Sequence, residues 1–216
     1  ARRMLGDPRY TDLIDYEHHI RAYDLSVPDG YASIEAFNAD LLRTIERLHP
    51  FEAHPLNQSL RGGAQSPRNL TTLQDPVLLA YFNALRASIE AYIATIGTGP
   101  GHPTSARNTG AFRFAGCWSV RLKGGGYHVN HIHPKGWISS AYYVSVPPEI
   151  GTTEAREGWI KFGEPPMNTE PALGPERWIQ PKAGRLVLFP SFVWHGTEPI
   201  RDGSVRVTAP FDVVPV

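Results

Sequence analysis

The chemistry-bearing residues of this sequence are its histidines. Three of the nine, His128, His131 and His133, fall within six residues, in Tyr127-His-Val-Asn-His-Ile-His-Pro134. On an extended strand, residues two apart face the same side, so His131 and His133 can present both imidazoles to one point. A remote partner, His195, stands in Phe192-Val-Trp-His-Gly196, just after an apolar run that ends Phe189-Pro190. A near pair on one strand and a distant histidine on another is how a β-barrel mouth builds a metal site, and imidazole suits Fe, Zn, Cu and Ni. The plainer reading of a His-x-His pair is polar strand surface. Arg206 weighs against that plainer reading. It lies in Arg206-Val-Thr208, where an arginine and a hydroxyl two apart on one strand face can grip a carboxylate, the arginine through a two-pronged pair.

These residues need a scaffold, and the chain changes character near residue 100. The first half reads helical. Ser33 caps a helix carrying Ile34, Phe37, Leu41, Ile45 and Leu48 at spacings of three and four, and His49-Pro50 ends it. Asp75-Pro76 starts a second helix, whose apolar face runs from Val77 to Ile96 before Gly97 closes it. Between them, Gln58–Gln65 is polar and Gly-rich, and reads as a strained turn, a strand edge or a ligand loop. The second half reads as strands: Ala111–Lys123, a break at Gly124-Gly125-Gly126, Trp137–Val146, Trp159–Phe162, Gly184–Pro190 and Val205–Val214. Short strands between Gly and Pro turns, behind helices, predict a β-sandwich or jelly roll flanked by helices.

Composition bounds the function. The chain has 216 residues, enough for a core without disulfides. Lys plus Arg equals Asp plus Glu at 21 each, so no net basic field draws it to nucleic acid or acidic membranes. One cysteine, Cys117, excludes an internal disulfide and a Cys-based zinc site, and reads as a small core residue. No apolar run approaches the ~18 residues of a membrane span, no signal peptide is visible, and a cytoplasmic setting is expected.

Three segments together resemble a known family. They are Gly125-Gly-Tyr-His-Val-Asn-His-Ile-His-Pro-Lys-Gly-Trp-Ile-Ser-Ser-Ala-Tyr-Tyr-Val144, Gly184-Arg-Leu-Val-Leu-Phe-Pro-Ser-Phe-Val-Trp-His-Gly-Thr197 and Arg206-Val-Thr-Ala-Pro-Phe-Asp-Val-Val214. They resemble the 2-oxoglutarate/Fe(II) oxygenases, in particular the set often found behind tetratricopeptide repeats in bacterial proteins. The motifs span roughly residues 113–214, and His54–Gln65 is also similar to that set. The resemblance implies a double-stranded β-helix core, Fe(II) at the barrel mouth, 2-oxoglutarate as cosubstrate, and O2 with an organic substrate as reactants. Attachment to repeat domains favours a peptide or protein substrate, and the reaction expected is hydroxylation. One domain is expected over 1–216, with 1–105 a helical layer and loop and 106–216 the double-stranded β-helix.

Residue by residue, the resemblance places metal ligands at His131, His133 and His195, and the far carboxylate of 2-oxoglutarate on Arg206 and Thr208, with Tyr142 beside them. The superfamily pattern has a carboxylate where His133 stands. His133 therefore either makes a three-histidine centre or leaves the metal to two protein ligands. Two other classes follow: a cupin-like three-histidine enzyme that ignores 2-oxoglutarate, and a non-catalytic binding module on the same fold. His128 faces away from His131 on a regular strand, and reads as a substrate contact or a structural residue. Arg121, Arg61, Gln58 and Trp194 are further substrate-contact candidates. Asp212 carries a late carboxylate, but its position after Arg206 argues against direct metal ligation. His18, His19, His49, His54 and His102 lack a partner pattern and read as surface or cap residues.

Overall fold

The computed structural model describes residues 1–48, 58–150, 154–201 and 203–216. The stop at His49-Pro50 and the segment 51–57 lie outside the described residues, as do His49 and His54. Two short helices, α1 (Arg9–Leu13) and α2 (Tyr16–His19), lead into strand β1 (Arg21–Asp24). Then come α3 (Ile34–Arg47), β2 (Leu60–Gln65) and α4 (Pro76–Thr95). The remaining strands are β3 (Phe112–Cys117), β4 (Val120–His128), β5 (Ile138–Ser145), β6 (Ile160–Phe162), β7 (Arg177–Ile179), β8 (Arg185–Pro190), β9 (His195–Thr197), β10 (Arg206–Thr208) and β11 (Phe211–Pro215).

Both long helices start where side chains satisfy their free N–H groups. The Ser33 hydroxyl accepts from Ala36 N at 3.2 Å. The Asp75 carboxylate accepts from Val77 N at 2.9 Å and Leu78 N at 3.3 Å, with Pro76 at the first helical position. Replacing Asp75 by alanine is expected to cost about 1 kcal/mol. In a chain of this size that lowers the melting temperature by roughly 2–4 °C in a thermal scan.

The main sheet runs β1-β8-β5-β10-β4-β2, with β11 pairing both β5 and β3. A smaller sheet, β7-β6-β9, is joined to the β4–β5 connection by a bridge between His131 and His195. Strand periodicity sorts β5 and β8 into two faces. Tyr142 and Val144 of β5 and Leu186 and Leu188 of β8 pack in one core with Phe37, Leu41, Ile45, Tyr81, Leu85 and Ile89 of the helices. Tyr143, Val187 and Phe189 face the other way, onto Ile160, Phe162 and Ile179 of the small sheet. The helices thus cover one face of the main sheet. The small sheet covers the other, and the space between the two sheets is where the site forms.

Several strand limits differ from expectation. Ala111–Lys123 is two strands, because Trp118 leaves the ladder to donate its N–H to Pro210 O. Gly124-Gly125-Gly126 is not a break but lies within β4. Gln58–Gln65 contributes β2, an edge strand on β4. The glycines in both strands let the backbones meet: a Cβ on Gly63 would stand 2.2 Å from Arg121 O. Val205–Val214 is β10 and β11, divided at Ala209-Pro210, since proline cannot donate to a ladder. Among the described residues, no helix is long and apolar enough to cross a membrane.

Candidate metal centre and cosubstrate pocket

Between the two sheets lies a cavity of about 860 Å³, open at one side. His131, His133 and His195 line it together, each offering a ring nitrogen within 4.8 Å of the others. Ring centroids are 4.2 Å apart for His131 and His195, and 5.2 Å for His133 with either. The His131–His195 closeness is set by backbone. His131 N donates to His195 O at 2.9 Å and His195 N to His131 O at 3.0 Å. Gly196 permits this approach, since a Cβ there would stand 2.9 Å from His128 O and 3.2 Å from Asn130 N.

The proton on each imidazole is placed by its partner. His131 Nδ1 lies 2.8 Å from Val129 O, and His195 Nδ1 lies 2.9 Å from Val193 O. A carbonyl only accepts, so both Nδ1 atoms carry hydrogen and Nε2 is the bare nitrogen of each ring, the one on His131 lying 3.3 Å from Ser59 Oγ. Each ring uses the carbonyl two residues before it. His133 Nδ1 lies 2.8 Å from both oxygens of Asp212, which fixes the same tautomer. All three rings therefore have the form in which metal-bound histidines occur, with Nδ1 held by an acceptor and Nε2 offered.

Protonation reinforces this. Burial, with the nearby His133, pushes the His131 pKa down to about 4. Burial and the neighbouring histidines hold His195 well below the ordinary imidazole range. Both are neutral at neutral pH, the state a metal requires. Three imidazoles on one cavity wall fit a borderline divalent ion such as Fe(II).

Arg206 supplies the second half of the site. It is 2% exposed, and its guanidinium sits over the Tyr143 ring at 5.6 Å. Nη1 donates to Gly158 O, while Nε has no hydrogen-bond partner. No carboxylate pairs with it among the described residues. Burial lowers its pKa from the usual guanidinium value, yet arginine stays charged. A buried, uncompensated cation with an idle donor is costly unless an anion meets it. The far carboxylate of 2-oxoglutarate fits that place. Thr208 follows on the same strand and lines the same cavity.

The other expected residues divide. Arg61, Gln58 and His128 line the cavity. His128 does so because β4 ends there and Val129–Asn130 leave the strand, so the expected opposition to His131 does not hold. Ser59 Oγ lies 3.0 Å from His128 Nδ1 and 3.3 Å from His131 Nε2, linking the two rings. Arg61 Nη1 is turned onto the carbonyls of Gln58 and Leu60. Tyr142, Arg121 and Trp194 are not on the cavity wall. The Tyr142 hydroxyl donates to Asn38 Oδ1 at 2.7 Å, inside the helix-facing core. Its neighbour Tyr143 takes the cavity position. Sequence reasoning missed Tyr143, Ser59 and the Asp212–His133 contact. Only Ser59 had a local signal, its place in the Gly-rich segment before β2.

With this geometry in view, comparison with known proteins adds a likeness. Residues 116–212 match the family model of the 2OG-Fe(II) oxygenases. All three clustered histidines, Arg206 and Asp212 lie in that segment, which spans somewhat less than half of the chain. Solved structures share the fold. A viral collagen prolyl hydroxylase from Paramecium bursaria Chlorella virus-1, in complex with 2OG, superposes with a TM-score of 0.58 at 15% identity, covering 92% of this chain and 97% of that one. A Pseudomonas putida prolyl-4-hydroxylase gives a TM-score of 0.58 at 16% identity, covering 94% and 96%. HygX from Streptomyces hygroscopicus, with nickel and 2-oxoglutarate bound, gives 0.55 at 12% identity, covering 100% and 87%. No curated protein sequence matches the chain.

Proposed function

We propose that this chain is a single-domain Fe(II)- and 2-oxoglutarate-dependent hydroxylase of a peptide or protein substrate. In this reading His131, His133 and His195 hold the metal, and Arg206 with Thr208 holds the far carboxylate of the cosubstrate. The observation that carries it is the joint one: three imidazoles, each held at Nδ1 by an acceptor and clustered on one cavity, beside a buried guanidinium that lacks an anion. The prolyl hydroxylases among the structural relatives favour a peptide substrate, and one relative is described in complex with a peptide fragment. The cavity leaves room beyond a small dicarboxylate.

When bound, the metal and cosubstrate together supply the activation of O2 that oxidises a substrate C–H bond. The chain's own work is placement. The Val129 and Val193 carbonyls and the Asp212 carboxylate keep Nδ1 protonated and the rings aimed. Arg206 orients the dicarboxylate by charge and by directed N–H groups. Phe162 and Phe189, packed around His195 at ring distances of 6.4 and 4.6 Å, keep water from behind the metal side. Trp118, 5.7 Å from His133, forms apolar wall on the other flank.

The test is an anaerobic titration of the metal-free protein with Fe(II) and 2-oxoglutarate, followed by visible absorbance. A weak charge-transfer band that needs both ligands and vanishes in His131→Ala is the expected result. Iron binding without that band transfers the site to the three-histidine, 2-oxoglutarate-independent class. Iron-dependent formation of succinate in air excludes a non-catalytic binding module.

A further inference from the structure

Asp212 carries the strongest interaction at this centre that the proposed ligand set does not use. It lies on β11 opposite Ser139 of β5. Both carboxylate oxygens stand 2.8 Å from His133 Nδ1, and Oδ1 accepts from Ser139 Oγ at 2.7 Å. Ser139 Oγ is in turn 2.8 Å from Ser191 Oγ, so the carboxylate is held from behind. The Asp212 side chain is only 16% exposed. Among the described residues no lysine or arginine pairs with it. A largely buried anion whose one ring partner is an imidazole is poorly compensated. A cation on the far nitrogen of that imidazole would compensate it.

We infer that Asp212 is a positioning residue that supplies, through His133, the negative charge that the ligand set itself lacks. The inference rests on the reading that His133 ligates the metal. In a site of two histidines and one carboxylate, one ligand carries a negative charge. Here all three ligands are neutral, and the carboxylate stands one hydrogen bond further out. Charge within the site is then the same as in the two-histidine arrangement, with Asp212 in place of the ligand. His131 and His195 have only carbonyls behind them, so the electron-donating partner is confined to His133. A carboxylate so placed fixes ring orientation and raises the basicity of Nε2.

The test is the affinity of the full-length protein for Co(II), read from its visible spectrum, with the thermal melt of the metal-free protein as a fold control. Asp212→Asn keeps shape and a hydrogen-bond acceptor but removes the charge. It is expected to weaken Co(II) binding about 10–100-fold. In a His133→Ala background the same change is expected to cost nothing more, because the path to the metal is gone. An equal loss in both backgrounds overturns the inference, as does full affinity in Asp212→Asn when His133→Ala is impaired. Full affinity in His133→Ala overturns the ligand set itself, and the inference with it. If Asp212→Asn alone melts early, the pair His133→Asp with Asp212→Asn carries the test. It is expected to bind Co(II) within about tenfold of the parent, since the charge is then on the ligand. A folded pair that binds no Co(II) overturns the inference.

Discussion

Arg206→Met weakens 2-oxoglutarate binding by roughly a hundred- to a few-thousand-fold, and leaves Fe(II) binding near its original level. That is the expected outcome of removing a cation that is 2% exposed and has an unpartnered Nε. Breaking a buried ion pair by deleting one partner costs about 3–5 kcal/mol, because the other charge stays buried. Each 1.4 kcal/mol is about tenfold in affinity. Methionine keeps the volume beneath the Tyr143 ring, so the loss reports charge and direction rather than packing. Arg206→Lys restores part of the binding, because an ammonium supplies the charge but not the planar fork. The measurement is calorimetric titration of 2-oxoglutarate into anaerobic Fe(II)-loaded protein. Unchanged affinity in Arg206→Met removes Arg206 from the cosubstrate site and favours a centre that works without 2-oxoglutarate.

His131→Ala and His195→Ala are expected to abolish metal binding and, with it, succinate formation. Loss of an outer-sphere partner typically costs 10–100-fold in metal affinity. Loss of a ligand from a set of three exceeds that range. Each variant also leaves a cavity beside the other rings, so thermal melting of the metal-free forms separates folding from binding. His131 lies at the edge of the strand system, whereas His195 is buried and packs on Phe189 at 4.6 Å. His195→Ala is therefore the more destabilising of the two in the metal-free protein. Metal affinity retained in either variant would break the three-histidine assignment.

What the sequence made legible was whatever is local or periodic. Asp75-Pro76 announced α4 because the cap and its helix are neighbours. The alternation around Ile138–Ser145 announced β5 because a strand's sides alternate whatever it packs on. The His131, His133 and His195 cluster was legible through spacing and motif. Tyr142 and Tyr143 show the limit. Both are aromatic, both are buried, and only the position of the helical layer decides which one faces the cavity. His128 joined the site because β4 ends at it, and no residue pattern marks that end. Asp212 read as too distant to ligate, and it does not ligate in the proposed set. Its actual partner, His133, is 79 residues away in the chain, and no sequence period spans that distance. Strands of three residues, β7 and β9, are too short to carry a periodic signal.

The reciprocal backbone pairing of His131 with His195 also bears on when in the protein's life the centre comes into being. The two residues are separated by β5 to β8, and their mutual N–H···O contacts close only when those strands are in place. Long-range closures of this kind come late, after nearer contacts have repaid their loop entropy. A nascent or partly unfolded chain therefore brings only His131 and His133 near one another, two residues apart in sequence. The full donor set exists only in the folded molecule, where its spacing is fixed by main chain before any ion arrives. The meeting of the three imidazoles is thus a property of the finished fold rather than of any one segment.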